Sequence, residues 1–388
     1  MEKNVNTSRL FALDFLRGLD MALLTVLGPL VWAVHNAWGL PDCILFQFTH
    51  PWEGFTLWDI VMPGFLFMCG VAIPLSLSRR LEKNGGKPDA AYWRHVLLRV
   101  AMLWTLGMIV QGHLLDFSLL ELRPYNNTLQ TIAAGYLAMA ALICVRSLAV
   151  RIAVPLAGFA VYAVLLHFLG DYSMTGNFAE ICEQRVLEAL LPAGSKAIRE
   201  IGPLGYLPDI STPGEIHYTW WLTMPMFVFM TACGDFSTRI LLKPGDGKRK
   251  TVLLAAFGAA LIALGFALEA CGVKLVKHIF TASFTAQAMG WCVLALAAAY
   301  ALTDVAGFRR GLGIFTLFGR TSLLAYMIGE WLWPCFMYTG DYVTRGLVRH
   351  VGAGAQGVAA CLTAVGILVF CLYVRRRLAA VRKEGGMK

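Results

Sequence analysis

Charge is scarce in this chain: Asp, Glu, Lys and Arg make up 15% of its 388 residues, against about a quarter in soluble domains. That scarcity excludes a soluble globular enzyme. Disorder is excluded too, because 58% of the residues are apolar and such a composition buries more surface than a disordered segment can. The 38 Gly and 15 Pro are too few for a collagen-like or low-complexity chain. Soluble active-site signatures are also missing. There is no GxxxxGK[ST], GxSxG or HExxH, and no GxGxxG opens a helix. Ten cysteines stand singly, without CxxC, zinc or haem spacing. Most of them (Cys69, Cys144, Cys233, Cys292, Cys361, Cys371) lie inside apolar runs as small hydrophobes. Cys43, Cys182, Cys271 and Cys335 fall near expected outer helix ends, but spacing alone gives them no partner. No metal is expected. Neither a 20–50-residue repeat nor similarity between halves is visible.

What is present is a series of apolar runs long enough to cross a hydrocarbon core of about 30 Å as helix. They span about 16–38, 57–78, 96–115, 127–145, 151–169, 216–234, 251–271, 283–303, 313–337 and 355–374. The expected fold is therefore all-α, a polytopic bundle of about ten transmembrane helices forming a single domain over 1–388. Trp, Tyr and Phe at the ends of several runs supply interfacial belts. Ten crossings put both termini on one side. The connections on that side and the two termini hold 25 of the 33 Lys and Arg, so the positive-inside bias makes it the cytoplasm. Asp14, Arg17 and Asp20 interrupt the start of the first run, which is too long for a signal peptide. The short N-terminus without a cleavable signal suggests a bacterial inner membrane. The largest external segment, 170–215, carries seven acids and the breakers Pro203, Pro208 and Pro213, and reads as an external loop or lid. Its charge would suit a cationic or hydroxyl-rich substrate. Nucleic acid is not an expected partner; membrane lipids are, and homo-oligomerisation stays open.

Chemistry at membrane depth must come from costly polar side chains. The densest cluster, Thr49 to Asp59, stands at the outer mouth of the second run. His50 has an imidazole whose ordinary pKa, near ~6.5, suits proton transfer to and from an attacking amine or hydroxyl. Asp59, one to two turns inside the helix, can orient that imidazole or pair with a cation on another helix. Glu53, Gln130 and Ser283 are further pocket candidates. His217, Gln287 and Glu330 are polar groups within runs that can equally hold helices together, while His35, His113 and His167 read as interfacial.

Two segments resemble a known family. Leu13-Asp14-Phe15-Leu16-Arg17-Gly18-Leu19 is similar to the LDxxRG opening of the membrane acyltransferases related to heparan-α-glucosaminide N-acetyltransferase. Trp52 to Phe67, WEGFTLWDIVMPGFLF, resembles that family's W-x-G-x-T-x-x-D-L-V-F-P-x-F-x-F segment. Weaker echoes follow at Leu129–Ile132 with Gly135-Tyr136, at Phe280–Phe284 and at Phe318–Leu323, so the resemblance runs nearly the whole chain. It implies a polytopic enzyme that takes acetyl from cytosolic acetyl-CoA to an amino sugar or sugar hydroxyl across the membrane. The family's catalytic histidine precedes the W-x-G-x-T segment, which points to His50. Here His50 stands two residues before Trp52 rather than three, and an Asn expected late in the first helix is replaced by Leu27 or Gly28.

Under that reading the phosphates of acetyl-CoA dock on the inner face, on some of Arg17, Arg79, Arg80, Lys248, Arg249, Lys250, Arg309 and Arg310, with Gly18 letting backbone approach the ligand. The main alternative is a transporter or flippase of a sugar or lipid-linked sugar, which also gathers intramembrane His, Asp, Glu and Gln. A non-catalytic sensor or assembly subunit is the third.

Overall fold

A computed structural model describes residues 10–111, 127–174, 176–182, 185 and 221–385. Lys3, Arg9, His113, His217 and most of the segment 170–215 lie outside them. All regular structure among the described residues is helical. In chain order the helices are α1 (Phe11–Trp38), α2 (Trp58–Lys83), α3 (Ala90–Val110), the shorter apolar α4 (Thr128–Leu142), α5 (Leu148–Phe168), α6 (Met224–Leu242), α7 (Gly247–Ala270) and α8 (Ala282–Val305). They continue with α9 (Gly313–Arg320), α10 (Ser322–Met327), α11 (Trp333–Thr344) and α12 (Val348–Gly385). Seven stretches among the described residues are long and apolar enough to cross a membrane: α1, α2, α3, α5, α7, α8 and the composite Ser322–Ala379. The protein is an all-α, multi-pass membrane protein.

Two expected runs differ in detail. The run at 216–234 corresponds to α6, which begins at Met224 and continues to Leu242 past the apolar stretch. It can do so because Arg239 Nε bonds Asp235 Oδ2 one turn away, at 2.6 Å, and neutralises both charges. The run at 313–337 breaks at Thr321, where α9 ends and α10 begins. The composite Ser322–Ala379 has 58 residues. At 1.5 Å per residue it would extend about 87 Å, far more than one crossing needs. Gly352, at φ 81° and ψ 166°, interrupts it, and α11 folds back along α12 with Gly340 against the Ala360 carbonyl. No disulfide joins any of the ten cysteines among the described residues.

The chain gathers into two compact units. One comprises Met1–Phe46, Pro244–Ala255 and Leu294–Lys388. In it α9 lies along α1, with Gly18 under the Phe315 carbonyl and Gly319 under that of Asp14. Arg320 Nε reaches Asp14 Oδ2 at 3.3 Å. The Asp304 carboxylate accepts the Ala12 N–H at 2.9 Å, capping the start of α1. Gly18 therefore admits a neighbouring helix rather than the ligand expected of it.

The other unit comprises Gln47–Lys243 and Ala256–Val293. Its axis is α2, whose apolar window is 72% buried against 17% for the peripheral α5. Helices α4 and α6 pack on α2, α3 packs on α4, and α5 on α6. The closest approach is α2 to α6. A Cβ on Gly234 would collide with the Phe67 carbonyl, and one on Gly70 with that of Thr231, while Thr238 Oγ1 donates to the Val71 carbonyl at 2.8 Å. Gly234→Leu should therefore cost about 1–3 kcal/mol or more. A lowered thermal midpoint in detergent would register it, with Gly366→Leu, where a Cβ meets nothing within 4 Å, as the neutral control.

Candidate active site

The segment before α2 folds back on itself through its own polar groups. The Gln47 carbonyl accepts the Trp58 N–H at 3.0 Å, and the Thr49 carbonyl accepts the Thr56 hydroxyl at 2.9 Å. Asp59 lies in the first, 3₁₀ turn of α2 (Trp58–Ile60), shallower than the one to two turns expected. Its carboxylate is fully buried and its two oxygens have different partners. Oδ2 accepts the Thr56 N–H at 3.0 Å, as the acid of a capping box does, and lies 2.9 Å from Thr56 Oγ1. Oδ1 is thereby aimed at His50 Nδ1, 2.7 Å away.

A third member comes from the connection between α7 and α8. Lys277 Nζ lies 2.9 Å from both His50 ring nitrogens and 3.5 Å from Asp59 Oδ1. The connection is fixed from several sides. Gly54, at φ +127°, donates to the Leu275 carbonyl at 2.8 Å, and Tyr162 Oη donates to that of Ile279 at 2.8 Å. Ser283 Oγ donates to the Lys274 carbonyl at 2.8 Å. Phe280, at φ 46°, is the one non-glycine residue with positive φ among those described, buried between Phe227 and Phe284. Such strain persists only where the surroundings over-determine it. Here it turns the backbone three residues after Lys277.

Around this triad runs an aromatic rim. Trp52 stacks on His278 with ring centres 5.1 Å apart, and His278 stands edge-on to His50 at 6.4 Å. Trp52 Nε1 donates to the Tyr172 carbonyl at 2.9 Å, while Tyr172 Oη meets His167 Nδ1 at 2.8 Å. Glu53 pairs with Lys274 at 2.9 Å on the surface.

The electrostatics centre on Lys277. Burial pushes its ammonium down to about 8, an effect partly offset by the Asp59 carboxylate. Between pH 8 and 10.5 the unfolded chain keeps a proton on Lys277 that the folded chain has released, so raising pH through that window stabilises the fold. Thermal midpoints of the wild type should thus rise between pH 8 and 10 relative to those of Lys277→Met, and parallel curves would exclude the depressed lysine. The Asp59 carboxylate can only accept, so Nδ1 carries the proton of a neutral His50 and Nε2 keeps its lone pair. The arrangement can take a proton at Nε2 and hold the resulting imidazolium against Asp59.

Of the residues expected from sequence, His50 and Asp59 meet directly, and Glu53 and Ser283 hold the two loops that carry the triad. Gln130 is elsewhere, with Nε2 3.0 Å from Met108 Sδ between α3 and α4. Gln287 bonds Glu269 at 3.1 Å. His35 accepts the Leu40 N–H at the end of α1, and Glu330 lies in the turn after α10. The basic residues expected to hold phosphate are divided: Arg79 and Arg80 belong to the α2 unit, and Arg17, Lys248, Arg249, Lys250, Arg309 and Arg310 to the other. Arg309 is engaged at 3.8 Å by Asp304 and lies over the Phe11 ring. Sequence reasoning missed Lys277 and His278. The signal was there, since Lys274, Lys277 and His278 cluster directly before the Phe280–Phe284 echo. Among the described residues no three His, Cys, Asp or Glu side chains converge as a metal site. No protein-family model matches the chain, and no curated protein matches it.

Proposed function

We propose that the protein is a membrane acetyltransferase that moves acetyl from acetyl-CoA to an amino sugar or sugar hydroxyl, with His50 as general base. The observation that carries this reading is the His50–Asp59–Lys277 triad at a helix mouth: a base with one defined lone pair, a buried orienting carboxylate and a lysine whose burial brings its ammonium down to about 8. A thioester is already activated. The protein must align the acceptor, remove its proton and stabilise the developing oxyanion. His50 Nε2 takes the acceptor's proton as the new C–N or C–O bond forms, and returns it to the departing thiolate as the C–S bond breaks. Asp59 holds the ring and its charge through Nδ1.

The topology belongs to the same reading. About ten crossings with both termini cytoplasmic, in a bacterial inner membrane, put the basic connections inside and His50 outside. The phosphates of acetyl-CoA would contact inner-face cations such as Arg79 and Arg80, and the acceptor would rest on the Trp52 rim. When protonated, Lys277 donates to Nε2 and occupies the base. The rate should therefore rise as pH passes about 8, and Lys277→Met should lack that rise in a pH–rate profile.

The deciding experiment supplies acetyl-CoA labelled in the acetyl group to reconstituted protein with a panel of amino sugars and sugars. Label bound covalently to an acceptor supports the proposal. An acceptor that crosses the vesicle unmodified selects transport instead, and neither outcome across the panel leaves only a non-catalytic role.

A further inference from the structure

At the end of α2 farthest from His50, the α2 unit contains two adjoining cavities that the triad does not use. One is a cleft of about 240 Å³ between α5, α6 and α7. Its walls include Leu148, Ile152 and Leu156 of α5, Phe236 of α6 and Leu261 of α7. The other is a basin of about 620 Å³ lined by Ser78, Glu82, Arg146, Arg151, Arg239 and Lys243 among others. The two share Leu148, Arg151 and Arg239, so the apolar cleft opens directly onto the basic basin.

Charge in the basin is unbalanced. Arg239 is neutralised by Asp235. Arg151 spends its donors on the carbonyls of Val145 and Ile143, at 2.6 and 2.7 Å, which fixes the guanidinium without cancelling its charge. Arg146 and Lys243 form no ion pair among the described residues, and Glu82 is the basin's acid. The cleft also opens sideways. Leu148, Ile152 and Leu156 follow at one-turn spacing and are 52%, 43% and 50% exposed, on the face a peripheral helix turns to lipid.

We infer that this cleft and basin bind one anionic glycerophospholipid, an acyl chain between α5, α6 and α7 and the headgroup phosphate on Arg146, Arg151 and Lys243. An acyl chain needs no hydrogen bonds, and apart from the ionic residues at its mouth the cleft wall offers only the weak thiol donor of Cys233. The amide-bearing pantetheine arm of CoA would lose its hydrogen bonds there, which costs affinity for each amide buried unpaired. A fixed guanidinium and two further cations against the one acid Glu82 leave net positive charge, which favours a net-anionic headgroup over a zwitterionic one. The inference stands independently of acetyl transfer.

The test titrates phosphatidylglycerol and phosphatidylcholine of identical chains into the purified full-length protein in neutral detergent. Native mass spectrometry reads retained lipid, and thermal midpoint reads stabilisation. One phosphatidylglycerol per chain is expected, held at least about tenfold more tightly than phosphatidylcholine. Arg146→Ala with Lys243→Ala should erase that preference, and Ala232→Phe, which fills the cleft, should weaken both lipids. Arg151 is left alone because its bonds close the end of α4. If the double variant fails to fold, Arg146→Gln alone carries the charge test. Equal retention of the two lipids, or a preference unchanged in the folded variants, overturns the inference. So does protection of the wild type by glycerol phosphate or by CoA that the Arg146→Ala with Lys243→Ala variant loses, which would make the basin a soluble-phosphate or nucleotide site.

Discussion

His50→Ala is expected to lower acetyl transfer by about 10²-fold or more while leaving the protein folded. The imidazole is 35% exposed and packs no core, so its loss removes proton transfer with little packing. Its neighbours stay supported without it: Thr56 still binds Asp59 Oδ2, and Lys277 still faces Oδ1 at 3.5 Å. The assay pairs labelled acetyl transfer with a thermal midpoint in the same detergent. Wild-type turnover would remove His50 from the mechanism. A midpoint collapsing together with the rate would make it structural.

Asp59→Asn has the second large expected effect and needs a control. An asparagine amide can donate to Nδ1, which would move the ring proton to Nε2 and remove the lone pair that accepts a proton. Losses of about 10²- to 10⁴-fold accompany such a tautomer change. The same substitution strands the Lys277 ammonium, and a buried charge without its partner costs about 3–5 kcal/mol. The double variant Asp59→Asn with Lys277→Met separates these effects, because it removes the stranded charge. Stability should return and the rate should not. The loss should fall on kcat more than on KM, as for a residue that positions the base. If rate recovers with stability, Asp59 is only the counter-ion of Lys277.

Two of the triad's three members were legible in the sequence, and the division is physical. His50 and Asp59 are nine residues apart and belong to one loop-and-helix start, so local pattern brings them together. Lys277 is 227 residues from His50 and reaches it through tertiary contacts such as the bond between the two loops at Gly54 and Leu275. Hydropathy found most helices, since burial in lipid and burial in protein select the same residues. It misjudged ends where polar groups satisfy one another within a helix, as Asp235 and Arg239 do in α6. It also joined α9 to α10, because the break at Thr321 leaves the apolar composition unchanged.

The glycine-lined crossing of α2 and α6 has a consequence for motion. With backbone against backbone at Gly70 and Gly234, the pair cannot slide or tilt without forcing carbonyls through one another. Backbone amides there should be among the last to exchange with deuterated solvent, whereas those of the 47–57 and 271–281 loops should exchange through local opening. Asp59 is anchored to the slow part, and His50 and Lys277 to the fast part. The carboxylate is therefore expected to stay put while the two short loops fluctuate around the imidazole, and solvent exchange at those loops, not helix movement, would report that motion.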